Sequence, residues 1–403
     1  MSEPPRWSRD QVVTLATLTV GYAGYYLCRS DLSLVAPLLP DRDWVGRTAA
    51  IGIVAYALGK AGTGWIADRI GSRATFLFGA WISALVTVGC AQLGREHPPV
   101  LLWCINLLAQ SAGWAAAVRM LGEWFVPAQY GRAISVLSLS YLFGDALVRW
   151  ALGALMTPTT AWQTVFTTAG VALAATTAVA FGLLGESTLP QPAPHPATPE
   201  VAPPPRAWIL QPAFWCAAGC AFGLTLIRET LTFWAPALLR ELGGMDTRQA
   251  AQWSALFPLL GGVSVLLIGL VGARLATPTR NRVLIAMLAG ATVVLALLSF
   301  GVAPGQTRLL QWALGAVAVL LIAPYAILLG LFPLELGTVR RSGSLAGILD
   351  AIGYSGAVAS GAWIGGLATR AGWPAALQVL TVAAAVSTLA VVGYGAARRP
   401  PVR

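Results

Sequence analysis

Charge is what this chain has least of. Only 10% of its 403 residues are Asp, Glu, Lys or Arg, against about 25% in a soluble domain. There is one lysine, Lys60, and there are two histidines, His97 and His195. Both histidines fall in breaks between apolar runs, and no nucleophile stands with a base beside it. No catalytic constellation is visible, and the chain is not expected to be an enzyme. Cysteine is also sparse: Cys28, Cys90, Cys104, Cys216 and Cys220 all lie inside apolar segments. They have no metal-ligand spacing and read as small buried residues, so neither metal nor cofactor is expected. The N-terminal MSEPPRWSRD lacks a signal-peptide layout, so the first apolar run is expected to remain as a helix. No polar stretch is long enough for a separate soluble domain.

What the chain has instead is apolar length. It is 57% hydrophobic, with a mean hydropathy of +0.69. A bilayer crossing needs roughly 20 apolar residues, so the length accommodates about twelve spans with short loops. The expected class is an all-α, multi-pass membrane protein. Its net charge of +10 is spread as arginines in ones and twos at the ends of apolar runs. That pattern excludes a nucleic-acid patch and leaves the lipid bilayer as the partner.

The apolar periodicity predicts helices over roughly 11–37, 48–67, 74–94, 99–122, 131–155 and 161–184. A second set is predicted over roughly 212–238, 250–272, 281–302, 308–332, 343–367 and 373–396. Between them 186–211, containing QPAPHPATPEVAPPPR, is rich in proline and has no apolar period, so it reads as an extended tether. The expected domains are therefore a six-helix bundle over 1–185, the linker 186–211, and a six-helix bundle over 212–403. GWIADRIGSR after the second helix is echoed by GLVGARLATP after the eighth. Such duplicated six-helix halves are a transporter plan with the site at their interface.

Orientation follows from loop arginines. One side holds Arg6, Arg9, Arg69, Arg73, Arg132, Arg206, Arg274, Arg280, Arg282, Arg340, Arg341, Arg398, Arg399 and Arg403, fourteen in all. The other holds seven: Arg42, Arg47, Arg95, Arg240, Arg248, Arg308 and Arg370. Both termini and the tether are thus expected in the cytoplasm, with the protein in the cell (inner) membrane.

A few charges sit where lipid should be. The stretch YAGYYLCRSDLSLVAP puts Arg29 late in the first apolar segment. An ionised guanidinium at that depth costs a few kcal/mol unless water, a partner or a ligand meets it. Tyr22, Tyr26, Arg29 and Ser33 are spaced by four, three and four, so they share one helical face. That face reads as a wall for an anion. The seventh helix, FGLTLIRETLTFWAPALL, carries Arg228 at the equivalent depth. Two guanidiniums can each grip phosphate oxygens with paired hydrogen bonds, and a dianion would relieve their mutual repulsion. A competing reading pairs Arg29 with Asp31 and Arg228 with Glu229, but neighbours one or two apart do not face each other on a helix. Lys60, four residues after Tyr56, shares its face; snorkelling to the surface competes with a binding role. In the fifth helix Ser138, Tyr141, Asp145 and Arg149 share another face. Asp145 reads as a structural partner of Arg149, as a proton carrier, or as a contact for a cationic part of the substrate.

These residues resemble a family. GYAGYYLCRSDLSLVAPLLP is similar to the first helix of organophosphate:phosphate antiporters, glycerol-3-phosphate and hexose-6-phosphate transporters of the major facilitator fold. YALGKAGTGWIADRIGSR is similar to their second helix and the loop motif after it, NLLAQSAGWAAAVRMLGEWFVPAQYGR to their fourth, and LIRETLTFWAPALL to their seventh. The resemblance spans most of the chain. It implies that Arg29 and Arg228 bind phosphate, and that Tyr22, Tyr26, Tyr56, Lys60, Trp114 and Tyr141 line the cavity. It implies that Asp68, Arg69 and Arg73 of the loop motif act in gating, with Asp145 and Glu229 left for coupling or gating. The implied activity is alternating-access exchange of an organic phosphate for inorganic phosphate by a monomer. The chain departs from the glycerol-phosphate members at Ser30, Tyr141, Ala115, Ala116 and Glu229, which leaves the organic moiety open. Two alternatives stay open with it: a proton-coupled carrier of another organic anion, and a sugar-phosphate membrane sensor of the same fold.

Overall fold

A computed structural model of the chain describes residues 7–157, 159–185, 210–272, 277–301, 305–336 and 342–397. The 186–209 portion of the proline-rich tether lies outside the described residues. Every regular element among those described is helical. The first half comprises α1 (Arg9–Tyr25), α2 (Leu27–Val35), α3 (Arg42–Ile70), α4 (Ser72–Leu93), α5 (Val100–Trp124), α6 (Pro127–Ala154) and α7 (Trp162–Leu183). The second comprises α8 (Pro212–Glu241), α9 (Thr247–Ser254), α10 (Leu256–Gly272), α11 (Thr277–Gly301), α12 (Thr307–Leu336), α13 (Ser342–Ala359) and α14 (Gly365–Ala397).

Local chemistry sets these boundaries. Ser8 caps α1 in a reciprocal box with Gln11, which ties down two backbone N–H groups. Proline stands in the first turn of α6 and α8, where no N–H is missed. Asp246 caps α9 by accepting from the Gln249 N–H at 2.7 Å. Gly372, at φ 80, breaks α14 into 365–371 and 373–397, and Pro374 opens the second piece.

Twelve crossings result, close to the expected ones. The first is α1 with α2, broken at Tyr26; the eighth is α9 with α10; the eleventh runs from α13 through a five-residue π turn, Ser360–Ile364, to 371. Among the described residues eight stretches are apolar enough to span a bilayer on composition alone, the last of them, Leu345–Ala397, holding two crossings. The others are the broken first crossing and α3 and α8, which carry embedded charges. The chain is a multi-pass membrane protein whose described helices make twelve crossings.

The helices cluster into two units. The first takes in the chain up to Asp41, then Ile51 through α7, and Asp246–Ala255. The second takes in Arg42–Ala50, α8, and everything after Leu256. In the first, α4 packs on α5 and α7, and α1 on α6. In the second, α14 packs on α8 and α11, and α10 on α12. There the Trp234 indole N–H donates to the Ser360 carbonyl at 3.0 Å, a group within the π turn.

Candidate functional site

Most of the expected site residues converge in the first unit, around the break in the first crossing. α1 ends at Tyr25 and α2 begins at Leu27, with Tyr26 as the joint. The rings of Tyr26 and Tyr56 both lie against the Arg29 guanidinium, at 5.0 and 4.6 Å. Such cation–π contacts hold a charge without cancelling it. Arg29 Nε donates to Gln110 Oε1 on α5 at 2.7 Å. Its Nη2 is buried with no hydrogen-bond partner. Among the described residues no carboxylate is ion-paired with Arg29. Lys60, exposed on α3, places Nζ 5.8 Å from the Tyr56 ring centre. Trp114 stands 5.3 Å from Tyr22 and 6.0 Å from Tyr141, centre to centre, and Tyr22 meets Tyr26 at 6.0 Å. The backbone of Gly113 lets this happen: a Cβ there would stand 3.1 Å from the rings of Tyr22 and Tyr25. Tyr25 points elsewhere, with its hydroxyl donating to the Phe76 carbonyl at 2.5 Å.

Ser33 does not join this wall. Its hydroxyl accepts from Arg149 Nη1 at 3.2 Å. Arg149 is 2% exposed, and its Nε donates to Asp145 Oδ1 at 2.9 Å. The same carboxylate oxygen accepts from the Ser30 hydroxyl at 2.5 Å, while Arg149 Nη1 also reaches Ser254 on α9 at 3.4 Å. Asp145 and Arg149 are therefore a closed, buried ion pair that binds α6 to α2 and α9, as the structural reading of their spacing had it.

In the second unit Arg228 is ion-paired with Glu229, the very neighbour that helical spacing placed on a different face. Both side chains are long enough to fold back along the helix surface, so the spacing rule fails for adjacent residues of this length. Arg228 also lies 4.7 Å from the Tyr325 ring of α12.

The loop motif is capping in part. Arg73 donates from Nε to the Leu184 carbonyl at 2.6 Å and from Nη2 to the Phe181 carbonyl at 2.8 Å. It thereby satisfies carbonyls at the end of α7. Arg69 is exposed at the end of α3. The Asp68 side chain lies outside the described residues.

Sequence reasoning missed Gln110, Asn106, Ser83 and Tyr325. The signal was present for two of them. Asn106 and Gln110 are four apart in the apolar stretch NLLAQ, and an amide at membrane depth needs a partner. Tyr325 had no comparable mark.

The profile of the Major Facilitator Superfamily matches residues 18–360. The glycerol-3-phosphate transporter of Bacillus subtilis (strain 168) is 25% identical over 399 residues, covering 91% of this chain and 88% of its own. The membrane sensor protein UhpC of Salmonella typhimurium is 21% identical over 419 residues, covering 96% of this chain and 92% of its own. Among solved structures, a bacterial homolog of the human lysosomal transporter Spinster aligns with a TM-score of 0.75 at 16% identity. That alignment covers 98% of this chain and 100% of the other, and shares the fold. The twelve helices and the match over most of the length have one meaning: this chain belongs to the Major Facilitator Superfamily.

Proposed function

We propose that this protein is a secondary transporter of the cell (inner) membrane that exchanges a phosphorylated organic anion, of the sugar phosphate or glycerol phosphate type, for inorganic phosphate by alternating access. One observation carries the reading. Arg29 is an embedded guanidinium held by two tyrosine rings and a neutral amide, so its positive charge stays available to an anion. In this reading Arg29 and Arg228 grip the phosphate group, and Lys60 adds a third charge. Tyr22, Tyr26, Tyr56, Trp114 and Tyr141 shape the space for the organic part. Asp68, Arg69 and Arg73 act in gating. Asp145, fixed by Arg149, belongs to the framework, which leaves Glu229 as the carboxylate for coupling. The two six-helix bundles, 1–185 and 212–403, move about the substrate as a monomer. Both termini and the 186–211 tether face the cytoplasm, supported by the fourteen-to-seven arginine asymmetry. The named substrate of the Bacillus subtilis relative supports the substrate class.

The test is a competition panel. Proteoliposomes loaded with phosphate should take up labelled phosphate, and phosphorylated metabolites should inhibit that uptake while their dephosphorylated forms do not. Equal inhibition by both forms would remove phosphate from the reading. A second reading is a membrane sensor of the same fold, here for a sugar phosphate; the Salmonella relative's name, a membrane sensor protein, supports the sensing role. Tight binding of a sugar phosphate with no exchange in the same vesicles would select it.

A further inference from the structure

We infer that Gln110 is the positioning residue for Arg29: it takes Nε and so leaves Nη2, which has no protein hydrogen-bond partner, to meet an oxyanion. This rests on the anion-binding reading of Arg29 given above.

The orientation of the Gln110 amide is dictated by its neighbours. A guanidinium only donates, so the atom facing Arg29 Nε at 2.7 Å must be the amide oxygen. Nε2 is then turned the other way. It donates to the Cys28 carbonyl at 2.8 Å and to Asn106 Oδ1 at 3.0 Å, with Ser83 Oγ at 3.2 Å. Asn106 Nδ2 donates to the same Cys28 carbonyl at 2.7 Å, and the Ser83 hydroxyl donates to Asn106 Oδ1 at 2.6 Å. Gln110, Asn106 and Ser83 are each fully buried, at 0% exposed. In this relay both amides donate to the Cys28 carbonyl of α2, and the remaining Gln110 N–H is taken by Asn106 Oδ1 and Ser83 Oγ, so flipping the Gln110 amide would set N–H against N–H at Arg29. The relay therefore fixes two things at once. It anchors the carbonyl of the residue before Arg29, and it fixes the plane in which the guanidinium lies.

The consequence concerns the geometry of binding. A guanidinium offers a carboxylate or phosphate two bidentate edges, Nη1–Nη2 and Nε–Nη. Gln110 occupies the second, and Tyr26 and Tyr56 lie against the group at 5.0 and 4.6 Å. Tyr22 and Tyr56 also hydrogen-bond the group, so the position left to an anion is Nη2, buried with no protein partner. Gln110 thus acts on affinity through Arg29 without touching the anion.

The experiment uses the full chain in proteoliposomes, with inorganic phosphate as the probe. Gln110→Leu should raise KM for labelled-phosphate exchange roughly tenfold, the loss expected when a charge-assisted contact is misaligned. Vmax at saturating phosphate should stay within about twofold. Gln110→Glu keeps the acceptor for Nε but cancels the cation, so its KM should rise further than that of Gln110→Leu. A purely structural role predicts the opposite order, because Glu is the closer isostere. A second readout needs no transport: the Nε–H signal of Arg29 in nitrogen-15 NMR, assigned by its loss in Arg29→Lys, should shift in Gln110→Leu. An unmoved signal, or a KM unchanged in a folded Gln110→Leu protein, would overturn the inference. If the wild type binds no phosphate, the anion-exchange reading falls, and the Nε–H signal still decides whether Gln110 holds Arg29.

Discussion

Arg149 and Arg29 are both embedded guanidiniums of the first unit, and they are held in opposite ways. Arg149 on α6 is 2% exposed, ion-paired with Asp145, and bonded to the hydroxyls of Ser33 and Ser254. Arg29 on α2 is partly exposed, and its partners among the described residues are an amide and the side chains of Tyr22, Tyr26 and Tyr56, with no carboxylate paired to it. Taking a charge out of water costs several kcal/mol unless an opposite charge and hydrogen bonds replace the water. Arg149 has that replacement inside the protein. Among the described residues Arg29 has no such counter-charge, which leaves its charge to solvent or a ligand. The difference separates a cation that holds helices together from one that is kept for binding. Arg228 stands between them, with Glu229 as a partly exposed partner and Tyr325 against it.

The largest effect should come from breaking the closed case. Asp145→Asn leaves Arg149 buried without its counter-charge, which typically costs about 3–5 kcal/mol. Thermal unfolding of the purified protein should show a marked fall in Tm. The double variant Asp145→Leu with Arg149→Met should recover most of it, because replacing a whole buried pair by apolar groups is often close to neutral. An Asp145→Asn protein as stable as wild type, with its exchange lost, would move Asp145 out of the framework and into coupling.

The open case should respond in binding and not in stability. Arg29→Lys keeps the charge but loses the planar fork, the Gln110 bond and the stacking between Tyr26 and Tyr56. A lost charge-assisted contact costs about 1.5–3 kcal/mol, so phosphate exchange should weaken roughly ten- to hundredfold with Tm little changed. Arg228→Lys should weaken exchange as well, by less, since part of the Arg228 charge is already met by Glu229. Near-normal exchange in Arg29→Lys would erase the contrast with Arg149.

How far this contrast could be read beforehand differs from residue to residue. Arg29 and Arg228 were legible because a charge inside an apolar run is conspicuous whatever it touches. The aromatic wall was legible from the spacing of Tyr22 and Tyr26 and from the resemblance at Trp114. Helix ends fell within about six residues, since apolar length and proline punctuate them. The joint at Tyr26 was not legible: no proline marks it, Gly24 just before it is one of many glycines in the chain, and the relay beside it comes from α4 and α5, far away in sequence. For the same reason Gln110 passed as one polar residue among many apolar ones. The Arg228–Glu229 pair was misjudged because helical spacing describes Cβ directions, while two long side chains choose their own path beyond Cβ. Asp145 and Arg149, at the favourable spacing of four, were legible as a pair, but their serine partners on α2 and α9 were not.

The smallest effect, and the one that separates exchange from proton coupling, is expected at Glu229. Its pair with Arg228 is exposed by 32% and 26% on the two side chains, so removing the carboxylate shifts the energy by at most about 1 kcal/mol. In the proposed reading Glu229→Gln leaves one more uncompensated cation for phosphate, and KM for exchange should fall by up to about fivefold. In that reading the net positive charge of Arg29, Arg228 and Lys60, only partly offset by Glu229, opposes closure of an empty site through repulsion and desolvation, so only the loaded carrier should cross between its two states. Vesicles containing phosphate should then take up labelled phosphate quickly, and empty ones should not, in wild type and variant alike. A proton-coupled carrier predicts another pattern. Empty vesicles with an inward proton gradient would accumulate substrate, and Glu229→Gln would abolish the accumulation while exchange continued. That outcome would turn Glu229 from a modest brake on Arg228 into the group that carries the proton, and the antiport reading would give way.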